Sequence, residues 1–488
     1  LVSGRVAGLE VDIPSREFDL PEAVDMAAGG LSGVVLRLVC GGVVAVVVPA
    51  VSLAESSRVR VKLDVRGELF ATVDQAGESV RQPIAVAGRF DFLDTPAAAD
   101  AAPAVSIRTF NDAAAEITVD GRTAQMVLPE EARRVRVARV GTAPVPYLAG
   151  GFLTRAELDL LELPFDALLL EELRPREAVA VRDAWEVPAD VAAGLLAIDT
   201  VETGGIKATV EEIADLRARV ALSGIIEGAV DGVPTHLVVE GSCVIVASPD
   251  ISSDSEALRY RLDGGVTNVA VTIQERRQPS HVAPGLDVEA HIVVSTVGHD
   301  MTTAESEPPR DMGDRRRGAG GPGLVWHRDA DRRFDLVHDA RWRTVEEGAG
   351  SVVMRCVDRG ALIAQCSITA LPPAAASSLP TIAEVQRDIR RSLAGQFERF
   401  EGATEATRSD GVTVVRVESA GTAEKLPFRW VHYVLADKDG RRASVTFMME
   451  APLARRFGDA DQELVDGLSL DDTPATREAR VPRKTTTP

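Results

Sequence analysis

The sequence predicts an α+β protein in two parts: an antiparallel β-rich domain carrying short apolar helices, then an α/β/α sandwich domain. Three observations predict it. Asp120-Gly121, Asp231-Gly232 and Asp263-Gly264 each separate runs rich in β-branched residues, and Asp-Gly favours the positive backbone angles of a tight hairpin. A leucine-rich stretch at 154–198 has helix-start signals rather than alternation. Near the other end, Ile382, Val385, Ile389, Leu393 and Phe397 recur at gaps of three and four, the spacing of an amphipathic helix.

In chain order, the first feature is an export signal over 26–54. Arg37 supplies one positive charge, 38–51 is apolar and small, and Ser52 and Ala54 stand three and one before a cut at Glu55. Signal peptidase accepts only short side chains there. The alternative is a retained anchor or buried helix over 31–54, which is long enough to span a membrane. Gly41, Gly42 and Pro49 fit a signal better than a packed helix. Cys40 lacks a lipobox, because Arg37 stands where an aliphatic residue belongs. Residues 1–25 contain no Met and are expected to be untranslated or disordered upstream sequence.

Residues 55–300 are expected to form the β-rich domain. Hairpins join 116–119 to 122–128, 220–230 to 233–240, and 258–262 to 266–275. Thr154 caps a helix over 155–163 that Pro164 ends, 165–173 makes a second helix, and 188–198 a third entered through Pro188. Laying these helices on one face of the sheet buries both. Residues 301–323 are a Pro-, Gly- and charge-rich linker whose Arg315, Arg316 and Arg317 are solvated. Over 324–470 the order is β-β-α-β-β-β-α: strands 352–357 and 362–370, helix 381–400, strands 412–418, 429–436 and 443–450, and a helix over 453–468. The tail 471–488 is expected to be disordered.

Composition narrows function. Hydrophobic residues make up 45% and charged residues 26%, enough for a sizeable core. The net charge of −20 repels phosphate backbones, so nucleic acid is not an expected partner. Aromatics at 4% argue against stacking sites. Cys40, Cys243, Cys356 and Cys366 form no CxxC pair. Cys356 and Cys366 face each other across a hairpin, either bridged or as buried thiols.

No HExxH, GxSxG, P-loop or dinucleotide fingerprint is present, and no two histidines pair at i,i+2 or i,i+4. No catalytic residue, metal site or cofactor is expected. Asp437-Lys-Asp-Gly440 has no downstream ligand series and is a hairpin turn. The one acid/base candidate is Glu275 with His281 across a polar turn, against a plain surface turn. The apolar candidates are Leu158, Leu161, Leu168, Leu169 and Leu170, either walls of a ligand cavity or core filling. The expectation is an exported, non-catalytic binding protein of the cell envelope holding a lipid or other apolar small molecule. The alternative is an envelope docking protein whose partner is another envelope protein. Membrane association follows only if the signal is retained.

The segment Arg333-Phe-Asp-Leu, followed by Ala340-Arg-Trp342, looks like the opening strand and small-x-Trp turn of the PsbP-like superfamily, which includes thylakoid PsbP and a nuclear-transport factor that binds the Ran GTPase. Hairpin, long helix, meander and closing helix follow in that family's order. The resemblance implies a binding or docking module over about 140 residues of 324–470. The stretch Leu173-Arg-Pro to Asp183-Ala-Trp185 is similar to an element of uncharacterised secreted planctomycete-type proteins, with Arg182 where those have glycine.

Overall fold

A computed structural model describes residues 56–72, 79–97, 105–250, 259–279, 284–298, 318, 320–374 and 380–470. The signal segment with Cys40, residues 1–25, His281, the arginine triplet at 315–317 and the tail lie outside the described residues. The chain is mostly antiparallel β-sheet. It divides into two compact units, 56–324 with 359–361, and 325–358 with 362–470.

The first unit contains β1 (Ser57–Thr72), β2 (Ser79–Pro96), β3 (Val105–Val119), β4 (Arg122–Val127), β5 (Arg134–Val140), β6 (Ala143–Tyr147), β7 (Leu153–Thr154), β8 (Ala184–Val187), β9 (Thr200–Ala214), β10 (Arg217–Val230), β11 (Val233–Val246), β12 (Ser248–Pro249), β13 (Tyr260–Arg261), β14 (Val266–Arg277) and β15 (Gly285–Gly298). One sheet runs β6-β5-β3-β2-β1-β15-β14-β11-β10-β9-β8, with β4 also pairing β3. The first and last strands of the unit therefore meet in its middle. Alternation sets the faces: Val59, Val61, Leu63 and Val65 are buried, while Arg60, Lys62 and Arg66 are exposed. Register continues the apolar face, with Val61 opposite Val294 and Leu63 opposite Ile292. A one-residue slip would turn every one of these side chains to water.

Two of the three Asp-Gly turns behave as expected. Asp120 and Gly121 have φ of 48° and 76°, Asp231 and Gly232 51° and 76°, and each joins an antiparallel hairpin. Asp263-Gly264 does not close a hairpin. Tyr260 pairs with Pro249 in a separate two-stranded ribbon, and neither turn residue takes a positive φ. Long-range pairing overrode the local turn signal there.

Between β6 and β9 runs the helical insert. Helix α1 (Arg155–Leu161) starts in a full capping box, Thr154 with Glu157. The second segment, Ala167–Leu173, is a 3-10 helix capped by Asp166 rather than an α-helix. Arg174 is extended, as the residue before Pro175 must be, and the segment ends there. Helix α2 (Ala189–Leu195) follows Pro188.

The second unit contains β16 (Leu324–Arg328), β17 (Phe334–Asp339), β18 (Trp342–Gly348), β19 (Ser351–Asp358), β20 (Ala361–Leu371), helix α3 (Ile382–Leu393), β21 (Phe397–Thr407), β22 (Thr413–Ala423), β23 (Leu426–Ala436), β24 (Arg442–Glu450), helices α4 (Ala454–Phe457) and α5 (Ala460–Asp466), and β25 (Leu468–Leu470). Its main sheet has seven strands ordered β18-β19-β20-β24-β23-β22-β21, beside the smaller β25-β17-β16. Val385, Ile389 and Leu393 of α3 pack on Val415, Val417 and Trp430. Trp342 packs edge-on against Phe447 and Phe457, with ring centroids 5.6 and 6.2 Å away. The expected helix over 381–400 ends at Leu393, because Ala394 turns to φ 47° and Phe397 opens a strand. The expected three-strand meander therefore has four strands. The closing helix is broken in two at Gly458, φ 58°.

Candidate functional site

The inner face of the large sheet and the insert laid on it are the candidate site. The contact that proves their apposition is polar. Arg108, on the buried face of β3, donates from Nη1 and Nη2 to the two carboxylate oxygens of Asp166, each at 2.6 Å. Its Nε donates to Asp94 on β2 at 3.2 Å, and its guanidinium lies 5.0 Å above the Phe92 ring. Asp166 also accepts from Leu168 N at 2.9 Å, so one carboxylate both caps the 3-10 helix and ties it to the sheet. Burial raises the Asp94 carboxyl above its ordinary range, against the opposing pull of Arg108. Further along, Phe165 N donates to Leu195 O at 2.5 Å, and Trp185 Nε1 to Leu173 O at 3.0 Å. Arg182 adopts φ 78°.

Four of the five candidate leucines are inside: Leu158 and Leu161 at 2% exposure, Leu169 at 0% and Leu170 at 3%. Leu168 is half-buried, pointing out of the row its neighbours make. Glu275 lies within β14, on the buried face, not at a surface turn. It accepts from Thr235 Oγ1 at 2.8 Å and from Arg277 Nε at 2.5 Å. Its expected partner His281 is outside the described residues.

Several other reactive side chains among the described residues are buried or hydrogen-bonded. Cys243, Cys356 and Cys366 are free and buried. Burial pushes the Cys243 thiol up to about 12 and Cys356 to about 11, so neither is a ready thiolate. His291 Nδ1 lies 2.8 Å from Thr272 Oγ1, and His236 Nδ1 lies 2.7 Å from Glu227 Oε1. Among the described residues no cluster of three His, Cys, Asp or Glu side chains could hold a metal ion. A cavity of about 70 Å3 lies in the second unit near Thr381, Glu405 and Val434.

No family model matches the chain, and no curated protein does. Among solved structures it is similar to a Bacteroides thetaiotaomicron protein at 11% identity, covering 30% of this chain and 48% of that one, with a TM-score of 0.23. The chain thus spans about half of that protein's length. Cyanobacterial PsbP from Synechocystis is similar at 13% identity over 30% of this chain and 92% of that one, TM-score 0.24. Lipovitellin is similar at 7% identity over 52% of this chain and 26% of that one, TM-score 0.28. None of these scores is high enough to bear on function. No comparison shows the expected likeness of 173–185 to planctomycete-type proteins. Among the described residues no helix is long and apolar enough to cross a membrane.

Sequence reasoning missed the Arg108–Asp166–Asp94 cluster. The Asp94–Arg108 register is set by the β2–β3 pairing, and nothing local points to Asp166. It also missed Glu227–His236, which was findable: the two stand equally far from the Asp231-Gly232 turn and pair across it.

Proposed function

We propose that the chain is an exported, non-catalytic binding protein of the cell envelope, which holds an apolar molecule between the inner sheet face and the helical insert of its first unit. One observation carries this reading. A wide sheet with a largely apolar inner face carries a short leucine-rich insert that is anchored by a buried ion pair rather than by apolar contact alone. Such a face is not left bare to water, and apolar walls with few convergent polar groups are what a ligand site of this kind needs. The raised thiols and engaged histidines give no support to a catalytic role. The acidic charge disfavours nucleic acid.

The test is native mass spectrometry of the purified chain. A mass excess that resolves into lipid-sized species is expected, and a clean apo mass from cells and after lipid feeding overturns the reading.

A second reading belongs to 324–470, which we infer to be a PsbP-like docking sandwich. It is favoured by the amphipathic helix α3 packed on one face of the seven-stranded sheet, while Tyr433 on the other face bonds Asp461 of α5 at 2.6 Å. Capture of an envelope protein by the chain, lost on deletion of 324–470, supports it; unchanged capture overturns it.

A further inference from the structure

Two arginines lie buried on the inner face of the large sheet, and they are served differently. All three guanidinium nitrogens of Arg108 donate to carboxylates. Arg277 donates from Nε to Glu275 at 2.5 Å, and among the described residues its buried Nη2 has no partner. The side chains of Arg277 and Glu275 are 3% and 2% exposed. Register sets Leu286 and Thr235 opposite Arg277, Leu237 and Val288 opposite Glu275, and Leu69 opposite Leu286. All five are buried, and the Thr235 hydroxyl is taken by Glu275. A buried donor without an acceptor carries its full desolvation penalty, so such groups are rare and require a reason.

We propose that Arg277 Nη2 is the specificity determinant of the holding site, donating to an uncharged acceptor on the held molecule: the carbonyl of an acyl ester or amide. This rests on the holding function proposed above. Charge decides the class of acceptor. Glu275 already neutralises Arg277, so a carboxylate or phosphate brought here adds an uncompensated charge to an apolar interior. A carbonyl accepts the hydrogen bond and adds none. A pure hydrocarbon leaves Nη2 as it is.

The test compares methyl palmitate, hexadecane and palmitate, titrated into the full chain from detergent micelles at pH 8 and quantified by native mass spectrometry. The ester is expected to bind roughly tenfold tighter than hexadecane, and tighter than palmitate. In the double variant Glu275→Gln/Arg277→Met, which removes the charges together, the ester-to-hexadecane ratio falls to about one. Equal binding of ester and hexadecane by the wild-type chain overturns the proposal, leaving Nη2 met by a trapped water only. That comparison needs no variant. Preference for palmitate, or a ratio unchanged in the double variant, also overturns it. If none of the three binds, the holding function itself falls, an outcome distinct from loss of selectivity.

Discussion

Arg108 and Asp166 meet through two parallel hydrogen bonds of 2.6 Å, although 58 residues separate them along the chain. A planar guanidinium matches a carboxylate in this geometry with both charges out of water. Such a pair fixes where the insert sits more than it adds stability, because desolvation offsets most of the attraction. Asp166→Ala breaks it from one side. The expected cost is about 3–5 kcal/mol, since Arg108 is left buried with an unmet fork. Urea unfolding measures it as a lower midpoint with an unchanged slope. A loss under about 1 kcal/mol would mean that Asp94 alone satisfies Arg108.

The insert leucines differ in what they carry. Leu169 is fully buried and Leu168 only partly. Leu169→Ala is expected to destabilise by about 2–5 kcal/mol, through lost transfer energy and the void left behind. Leu168→Ala is expected to cost less than about 1 kcal/mol. Thermal melts of the two variants check this, and equal shifts would contradict the burial described.

Stability is expected to fall in acid through His432. Its ring shares a sheet face with Val417 and Trp430, the face that α3 covers, and among the described residues its buried Nε2 has no partner. Burial pushes its pKa down to about 4, against about 6.5 in the unfolded chain. The unfolded state therefore takes up the proton first as pH drops. The contribution is complete above about pH 6.5 and is lost as pH falls towards 4, up to about 3 kcal/mol in all. Chemical unfolding at a series of pH values from 7 to 4 reads the slope. His432→Gln is expected to flatten it, and an identical slope in that variant would remove His432 as the cause.

Arg182 is exposed with φ 78°, a backbone conformation that suits glycine. Arg182→Gly is expected to stabilise by about 0.5–1 kcal/mol, the relief of left-handed strain less the extra entropy of the unfolded glycine. A rise in melting temperature checks it, and a fall would mean that the Arg182 side chain holds a contact worth more than the strain.

Much of the fold was legible because it is encoded by near neighbours. Thr154 and Thr381 each cap a helix with a glutamate three residues on. The apolar spacing from Ile382 to Leu393 places three buried residues on one helix face. The same spacing extended the helix wrongly to Phe397, since periodicity does not register the positive φ of Ala394 that ends it. Of the site, the leucines were visible as apolar residues, but their burial was not. Glu275 was singled out for a histidine and proved to serve Arg277, two residues along the same strand face.

By itself the sequence determined the acidic character of the protein, its β-rich class, the hairpins at Asp120-Gly121 and Asp231-Gly232, and the helix caps at Thr154 and Thr381. These depend on backbone preferences and hydrogen bonds spanning only a few residues. Only the tertiary structure decided that Asp166 reaches Arg108, that Glu275 turns inward beside an Arg277 with one donor unmet, and that Tyr260 pairs with Pro249 instead of the strand after it. Those are contacts between distant segments. Each is set by which faces must leave water together, and no local pattern carries that information.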